Sequence, residues 1–168
     1  MRLLPGVENF SQMIVNNRVQ SHWGKMELPG IDSLVYSDGT LTILNTYSVL
    51  SDDDTQKYYA FPMADTTIES VEHYNDDVWT EIQPHPDSIV TDECKISFGE
   101  GSMGNEGFVA VENKEGLVWA LFSTISNPFI SLKIVDGYLW AASDFLLYKI
   151  NINNPKAISI EHRGDLLC

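Results

Sequence analysis

Two stretches of this chain carry no polar side chain, and they constrain its fold more than any other feature. They are Gly107-Phe108-Val109-Ala110-Val111 and Leu117-Val118-Trp119-Ala120-Leu121-Phe122. Successive side chains of a β-strand point to opposite faces of its sheet, so a strand with one wet face alternates apolar and polar residues. A strand apolar on both faces belongs in a sheet that is buried on both faces. Asn113-Lys114-Glu115-Gly116 separates the two stretches and reads as a hairpin connection.

The rest of the chain supplies strands punctuated by turn residues. Asp38-Gly39 divides Ser33 to Ser37 from Thr40 to Val49 and predicts a two-residue hairpin turn with positive φ at both central positions. Tyr58 to Phe61 is a short strand that Pro62 should stop, because proline cannot donate to a ladder. Thr66 to Tyr74 and Val78 to Gln83 bracket Asn75-Asp76-Asp77 as a second hairpin. In its second strand Val78, Thr80 and Ile82 fall on one face and Trp79, Glu81 and Gln83 on the other. Lys95 to Phe98, Phe108 to Glu112, Leu117 to Ser123, Phe129 to Val135, Tyr138 to Ala142, Phe145 to Ile152 and Lys156 to Glu161 follow. Near the start, Val7, Phe10, Ile14 and Val15 have helical spacing, and Asn16-Asn17 should end that helix. The pattern is mainly β: an antiparallel sandwich or barrel of about ten short strands with a short N-terminal helix.

At 168 residues the chain fits one domain, residues 1–168, able to bury roughly 70% of its unfolded surface. Asp38-Gly39-Thr40-Leu41 and Asp136-Gly137-Tyr138-Leu139 echo each other without a fixed period, so they read as ordinary turns and not as propeller blades. Cys94 and Cys168 are far apart, the second at the extreme terminus. They are expected to be free thiols in a reducing, cytoplasmic setting. Met1-Arg2-Leu3-Leu4-Pro5-Gly6 reads as neither signal peptide nor membrane span.

The formal net charge is −14, and it is concentrated. From Ser51 to Glu115, 16 acids face three bases, Lys57, Lys95 and Lys114, while the remainder holds eight acids and seven bases. Nucleic acid and anionic membranes are bound through Lys and Arg, so neither is an expected partner. A basic protein is, although acidic surfaces also serve solubility alone.

Motifs for catalysis or cofactors fail on context. Gly99-x-Gly101-x-x-Gly104 matches the glycine patterns of dinucleotide-binding proteins and kinases, yet the residues after it read as strand and not as a helix facing a pyrophosphate. Glu100 and Glu106 would repel phosphate, and Val109-Ala110-Val111-Glu112 lacks the lysine a kinase needs. The segment reads as a hairpin connection. His22, His73, His85 and His162 are too scattered for a local metal pattern, and Asp52-Asp53-Asp54 lacks the ligand alternation of a calcium loop. Asp92 and Glu93 precede Cys94 and would raise its thiol pKa. With 24 acids in the chain, no carboxylate pair stands out as general acid and base. No cofactor, metal or catalytic residue is expected, and the chain reads as non-enzymatic.

What remains is an association of rings with acids. Trp79, Tyr58, Tyr59 and Tyr74 interleave with Asp52, Asp53, Asp54, Glu69, Glu72, Asp76, Asp77 and Glu81. Buried rings supply affinity and charges set encounter rate and orientation, so those acids together with Trp79 form the expected partner-binding set. Tyr58, Tyr59 and Tyr74 fit a core better than an interface, Trp79 fits the two equally, and Trp119 and Trp140 fit the core better. A small, acidic, β-rich domain carrying Gly107-Phe108-Val109-Ala110-Val111, Leu117-Val118-Trp119-Ala120 and Ser126-Asn127-Pro128-Phe129 resembles the immunity proteins of bacterial polymorphic and contact-dependent toxin systems. The resemblance spans Gly107 to Phe129 and transfers no individual residue. It implies a protein that neutralises a cognate basic toxin, such as a nuclease, by covering its active site or substrate surface. The alternatives are a carbohydrate-active or small-ligand-binding β-domain, with rings and carboxylates lining a cleft, and a subunit of a larger assembly.

Overall fold

A computed structural model describes residues 13–163. They form α1 (Asn17–Gly24), β1 (Glu27–Pro29), β2 (Ser33–Tyr36), β3 (Thr40–Leu50), β4 (Gln56–Thr67), α2 (Ile68–Tyr74), β5 (Trp79–Glu81), β6 (Gln83–Pro84), β7 (Ile89–Val90), β8 (Lys95–Glu100), β9 (Gly107–Asn113), β10 (Gly116–Ser123), β11 (Ser131–Val135), β12 (Tyr138–Ala142), β13 (Leu146–Asn151) and β14 (Ile158–His162). The main sheet has the order β4-β3-β2-β10-β9-β8-β6, with β7 also pairing β8. A second sheet runs β11-β12-β13-β14, and β1 pairs β5 separately. Every pairing is antiparallel, and the whole is sandwich-like without closing into a barrel.

The doubly apolar strands explain the layering. Val109 and Val111 of β9 point to one face of the main sheet, where with Ile96, Phe98 and Leu121 they meet Leu139, Leu146, Tyr148 and Ile150 of the second sheet. Phe108 and Ala110 point to the opposite face. There, with Val35, Leu41 and Phe122, they meet Val19 and Trp23 of α1, Leu28 of β1, and Ile68 and Val71 of α2. The main sheet is therefore the middle of three layers, and the expectation of burial on both faces is met.

Ten strands span four or more residues, close to the expected number. The four others, β1, β5, β6 and β7, are two or three residues long, too short for alternation to register. The helix expected over Val7 to Val15 lies largely outside the described residues, and residues 13–15 are not helical. Asn16 starts a helix instead of ending one: its Oδ1 accepts the backbone N–H of Arg18 at 3.0 Å and of Val19 at 3.1 Å, the N-cap role for which asparagine is suited.

Three other local expectations are corrected. At Asp38-Gly39 only Gly39 has positive φ, +88°, and its N–H donates to the Tyr36 carbonyl at 3.0 Å. This is a type I turn closed by a left-handed glycine, not the two-residue form. The two-residue form occurs at Asp136-Gly137, with φ of 51° and 81°. Pro62 does not stop its strand. β4 is the sheet's edge, and Pro62 pairs Leu44 where the register slips, a place where a missing N–H costs the ladder little. Finally, Thr66 to Tyr74 does not form a hairpin strand. Thr67 Oγ1 accepts the Ser70 N–H at 3.2 Å and caps α2, and Ile68 and Val71, three apart, share the buried face of a helix. No helix among the described residues is long and apolar enough to cross a membrane. Cys94 is a free, buried thiol; Cys168 lies outside the described residues.

Candidate partner-binding surface

β3 and β4 form the longest hairpin in the chain, pairing Thr40 with Thr67 at the base and Leu50 with Gln56 at the far end. Ten residue steps at about 3.4 Å each make this arm roughly 34 Å long. Its base is anchored by Leu41 in the helix-side core and Leu44 in the core between the sheets. Beyond Leu44 the arm leaves the body: residues 45–50 of β3 include no buried residue, and Ala60 is the buried residue of β4. On the second-sheet side the arm is supported by β14 and by Phe145, whose ring meets Tyr58 edge-on at 6.1 Å.

The opposite side of the arm is bare. Tyr47 pairs directly with Tyr59, and their rings stack with centroids 5.2 Å apart. Phe61 continues the ladder at 5.9 Å from Tyr59 and 6.2 Å from Tyr47. These rings lie on the face that α1 and α2 cover lower down, at Leu41, but here Tyr47 is 38% and Phe61 52% exposed. Val49 and Met63 add further exposed apolar surface. Pairs of stacked rings contribute about 0.5–1.5 kcal/mol, which holds the ladder together without explaining why it faces water.

The acidic run forms the arm's tip, and it is ordered. Ser51 N–H donates to the Thr55 carbonyl at 2.9 Å, and Asp54 adopts a left-handed φ of 62°, which aspartate tolerates better than most residues. Asp53 turns inward. Its carboxylate accepts the Ser51 hydroxyl and, at 3.2 Å, the Thr55 N–H, and the Ser51 bond leads the causes that lower its pKa to about 2. Asp53 therefore builds the turn; all three aspartates are exposed, and Asp52 and Asp54 are the two whose charge the turn does not use.

The other expected site residues lie off the arm: Glu69 and Glu72 on α2, which follows its base, Asp76 and Asp77 in the α2–β5 connection, and Trp79 and Glu81 on β5, where the Glu81 carbonyl meets Ser102 beside β8. Glu72 of α2 pairs with Arg18 of α1, whose hydrogen bond is the first cause holding its carboxyl below the usual range. Glu69 accepts from Asn16 Nδ2 at 3.3 Å. Both clasp α2 to the segment around α1; the charge of Glu72 is committed to Arg18, while Glu69 stays exposed. Trp79 is half-buried with its ring flat on His22, centroids 3.6 Å apart and planes 4° from parallel. Its buried indole N–H makes no well-formed hydrogen bond, though it lies near enough to Glu72 to favour the charged carboxylate. Asp76, Asp77 and Glu81 are exposed, and Tyr74 is exposed beside them. The predicted set thus falls into two groups that no single small interface spans.

The glycine-rich connection is explained by packing. A Cβ on Gly99 would lie 2.1 Å from the Gln83 carbonyl oxygen, one on Gly101 would meet Glu106 and Phe122, and one on Gly107 would meet Ser126 and Asn127. Trp119 is buried, its indole N–H donating to the Ile152 carbonyl at 3.1 Å. Trp140, expected in the core, is half-buried on the outer face of the second sheet, where the Lys149 ammonium lies 5.1 Å from its ring centroid and 4.4 Å from that of Tyr138. Among the described residues no group of three or more His, Cys, Asp or Glu is placed to hold a metal ion.

A groove of about 700 Å³ opens between the arm's base and the β13–β14 loop, with Tyr36, Thr42, Asp38, Asp65, Trp119 and Lys156 among its walls. Asp65 is held below the usual carboxylate range, first by the Thr42 hydroxyl and then by Lys156. A general acid needs the opposite shift. No family model, curated protein or solved structure matches this chain.

Tyr47, Phe61, Val49 and Met63 are surface residues that sequence reasoning missed. The signal was present: Asn45-x-Tyr47-x-Val49 and Lys57-x-Tyr59-x-Phe61 have the alternation of paired strands. Both strands were expected, but not their pairing with each other across the acidic run, and that pairing is what brings the rings together.

Proposed function

We propose that this chain is a non-enzymatic binding protein that docks a basic protein partner on the outer half of the β3–β4 arm. The observation that carries the reading is the Tyr47–Tyr59–Phe61 ladder, held open to water next to a tip that presents Asp52 and Asp54. Contiguous exposed rings rimmed by charge have the anatomy of an interface: the rings supply an anchor once desolvated, and the rim steers the encounter. The concentration of acid from Ser51 to Glu115 selects a partner of opposite sign. Within this class, the resemblance to immunity proteins favours neutralisation of a toxin, with a basic nuclease as the partner and occlusion of its substrate surface as the mechanism. Such a protein acts in the cytoplasm, where the toxin would otherwise reach its target.

The test is co-expression with the basic protein encoded beside this chain, followed by association kinetics on the purified pair. Reversing Asp52 and Asp54 to Lys is expected to slow association by on the order of tenfold at low salt, with the difference shrinking as salt rises. The neighbour's toxicity should return when this chain is withheld. An association rate indifferent to both the reversal and the salt removes the electrostatic part of the proposal, and no binding or protection by the wild-type chain removes all of it.

A further inference from the structure

We infer that the groove at the base of the arm is a binding site for an organic cation, a guanidinium or primary ammonium group such as an Arg or Lys side chain of the partner. Its source in a protein partner rests on the function proposed above; the groove itself does not.

The groove has the parts that such a group requires. Two carboxylates, Asp38 and Asp65, and the half-buried Tyr36 line it, with the buried Trp119 contributing to its wall. Carboxylates supply charge and ring faces attract cations. Asp65 is positioned: Thr42, only 1% exposed, donates its hydroxyl to Asp65 Oδ1 at 2.8 Å and lies 3.4 Å from the Tyr36 hydroxyl. Asp38 is fixed in turn by the backbone N–H and hydroxyl of Thr40, at 2.9 and 2.7 Å.

A cation of the chain's own already occupies part of this place. Lys156 Nζ lies 3.3 and 3.4 Å from the two Asp65 oxygens, and the two side chains are 40% and 66% exposed. A single ammonium at these distances makes a weak, water-screened pair. A guanidinium can engage both oxygens with parallel N–H donors, which is a stronger arrangement. Lys156 is thus a placeholder that an incoming cation displaces by swinging it into solvent. An anion would face two carboxylates against one lysine and is disfavoured. A neutral polyol would gain nothing from the loss of Lys156.

These relations yield opposite signs for two substitutions. Agmatine, which carries both cationic groups, is titrated into the ¹⁵N-labelled full chain at constant ionic strength. The reporter is the Trp119 indole N–H, which is bonded to Ile152 on the groove wall. The expected result is a saturable shift, absent with sorbitol or inorganic phosphate. Lys156→Met should tighten agmatine binding by roughly two- to fivefold, the range that freeing a half-exposed ion pair supplies. Asp65→Asn should abolish the saturable shift while the amide spectrum stays dispersed; if that variant fails to fold, the Lys156→Met result alone decides. Weaker agmatine binding in Lys156→Met, no saturable shift in the wild-type chain, or an equal response to sorbitol or phosphate overturns the assignment. The outcome is separable from the function proposed above: agmatine binding without any basic protein on the arm leaves the groove assigned and the partner lost, and the converse leaves the partner without this contact.

Discussion

Phe108 and Val109 are adjacent in β9, both 0% exposed, and they face different layers. Truncating both tests the three-layer arrangement on which the arm's position depends. Val109→Ala removes carbon worth about 1.6 kcal/mol at roughly 0.8 kcal/mol per group, and the residual cavity brings the cost to about 2–3 kcal/mol. Phe108→Ala should cost about 3–5 kcal/mol. For a chain of this size each kcal/mol lowers the melting temperature by about 2–4 °C, so the first variant should melt roughly 5–10 °C lower and the second lower still. Urea unfolding followed by circular dichroism gives the free energies, and an unchanged m-value confirms that the folded and unfolded states are otherwise alike. If either neighbour costs less than about 0.5 kcal/mol, the usual range for a surface site, β9 has a wet face and the layering is wrong.

Three further outcomes follow from local geometry. Gly99→Ala should destabilise by about 1–3 kcal/mol, because its Cβ would press on the Gln83 carbonyl. Gly104→Ala, whose Cβ meets nothing within 4 Å, should melt like the wild type, and equal effects would contradict the packing explanation. Glu72's folded pKa lies below its ordinary 4.5, chiefly through Arg18, so its contribution is present above about that pH and lost as the pH falls through the depressed value. Arg18→Met should raise the midpoint of the Glu72 carboxyl in an NMR pH titration, and an unmoved midpoint would show that the clasp between α1 and α2 is not formed in solution. Asp53→Ala should speed amide exchange at Thr55, whose N–H it accepts, while Asp52→Asn should not. Equal protection in the two variants would mean that the tip does not depend on Asp53.

Much of the fold was legible because burial leaves a periodic mark. β9 and β10 had to lie in a sheet covered on both faces, and their neighbours β2 and β8 and the meander from β11 to β14 were bounded by Gly, Pro and Asn as turns require. Where the reading failed, tertiary context overrode a local rule. Pro62 is tolerated because β4 is an edge strand, which no local pattern reveals. Ile68 and Val71 favour a strand by type, but Thr67 caps a helix and the core accepts both from one helical face. Of the candidate surface, the acidic tip was visible as composition. Asp53's bonds within the turn are local but invisible in composition, and the commitment of Glu72 to Arg18 and the separation of the two acidic groups depend on contacts between residues distant in sequence. The aromatic ladder depends on strand register, since Tyr47 meets Tyr59 only when β3 and β4 pair across the acidic tip.

The central claim is that the bare side of the β3–β4 arm receives the partner, and the most direct measurement is the affinity of a Tyr47→Ala/Phe61→Ala double variant by calorimetry. Anchoring rings typically cost 2 kcal/mol or more each when truncated, and 1.4 kcal/mol is tenfold, so Kd for the basic partner should weaken by roughly a thousandfold. The rings are exposed, and losing the two stacked contacts removes about 1–3 kcal/mol, so the variant should remain folded and melt roughly 2–12 °C below the wild type. An unchanged Kd in a folded double variant would place the interface elsewhere and contradict the account.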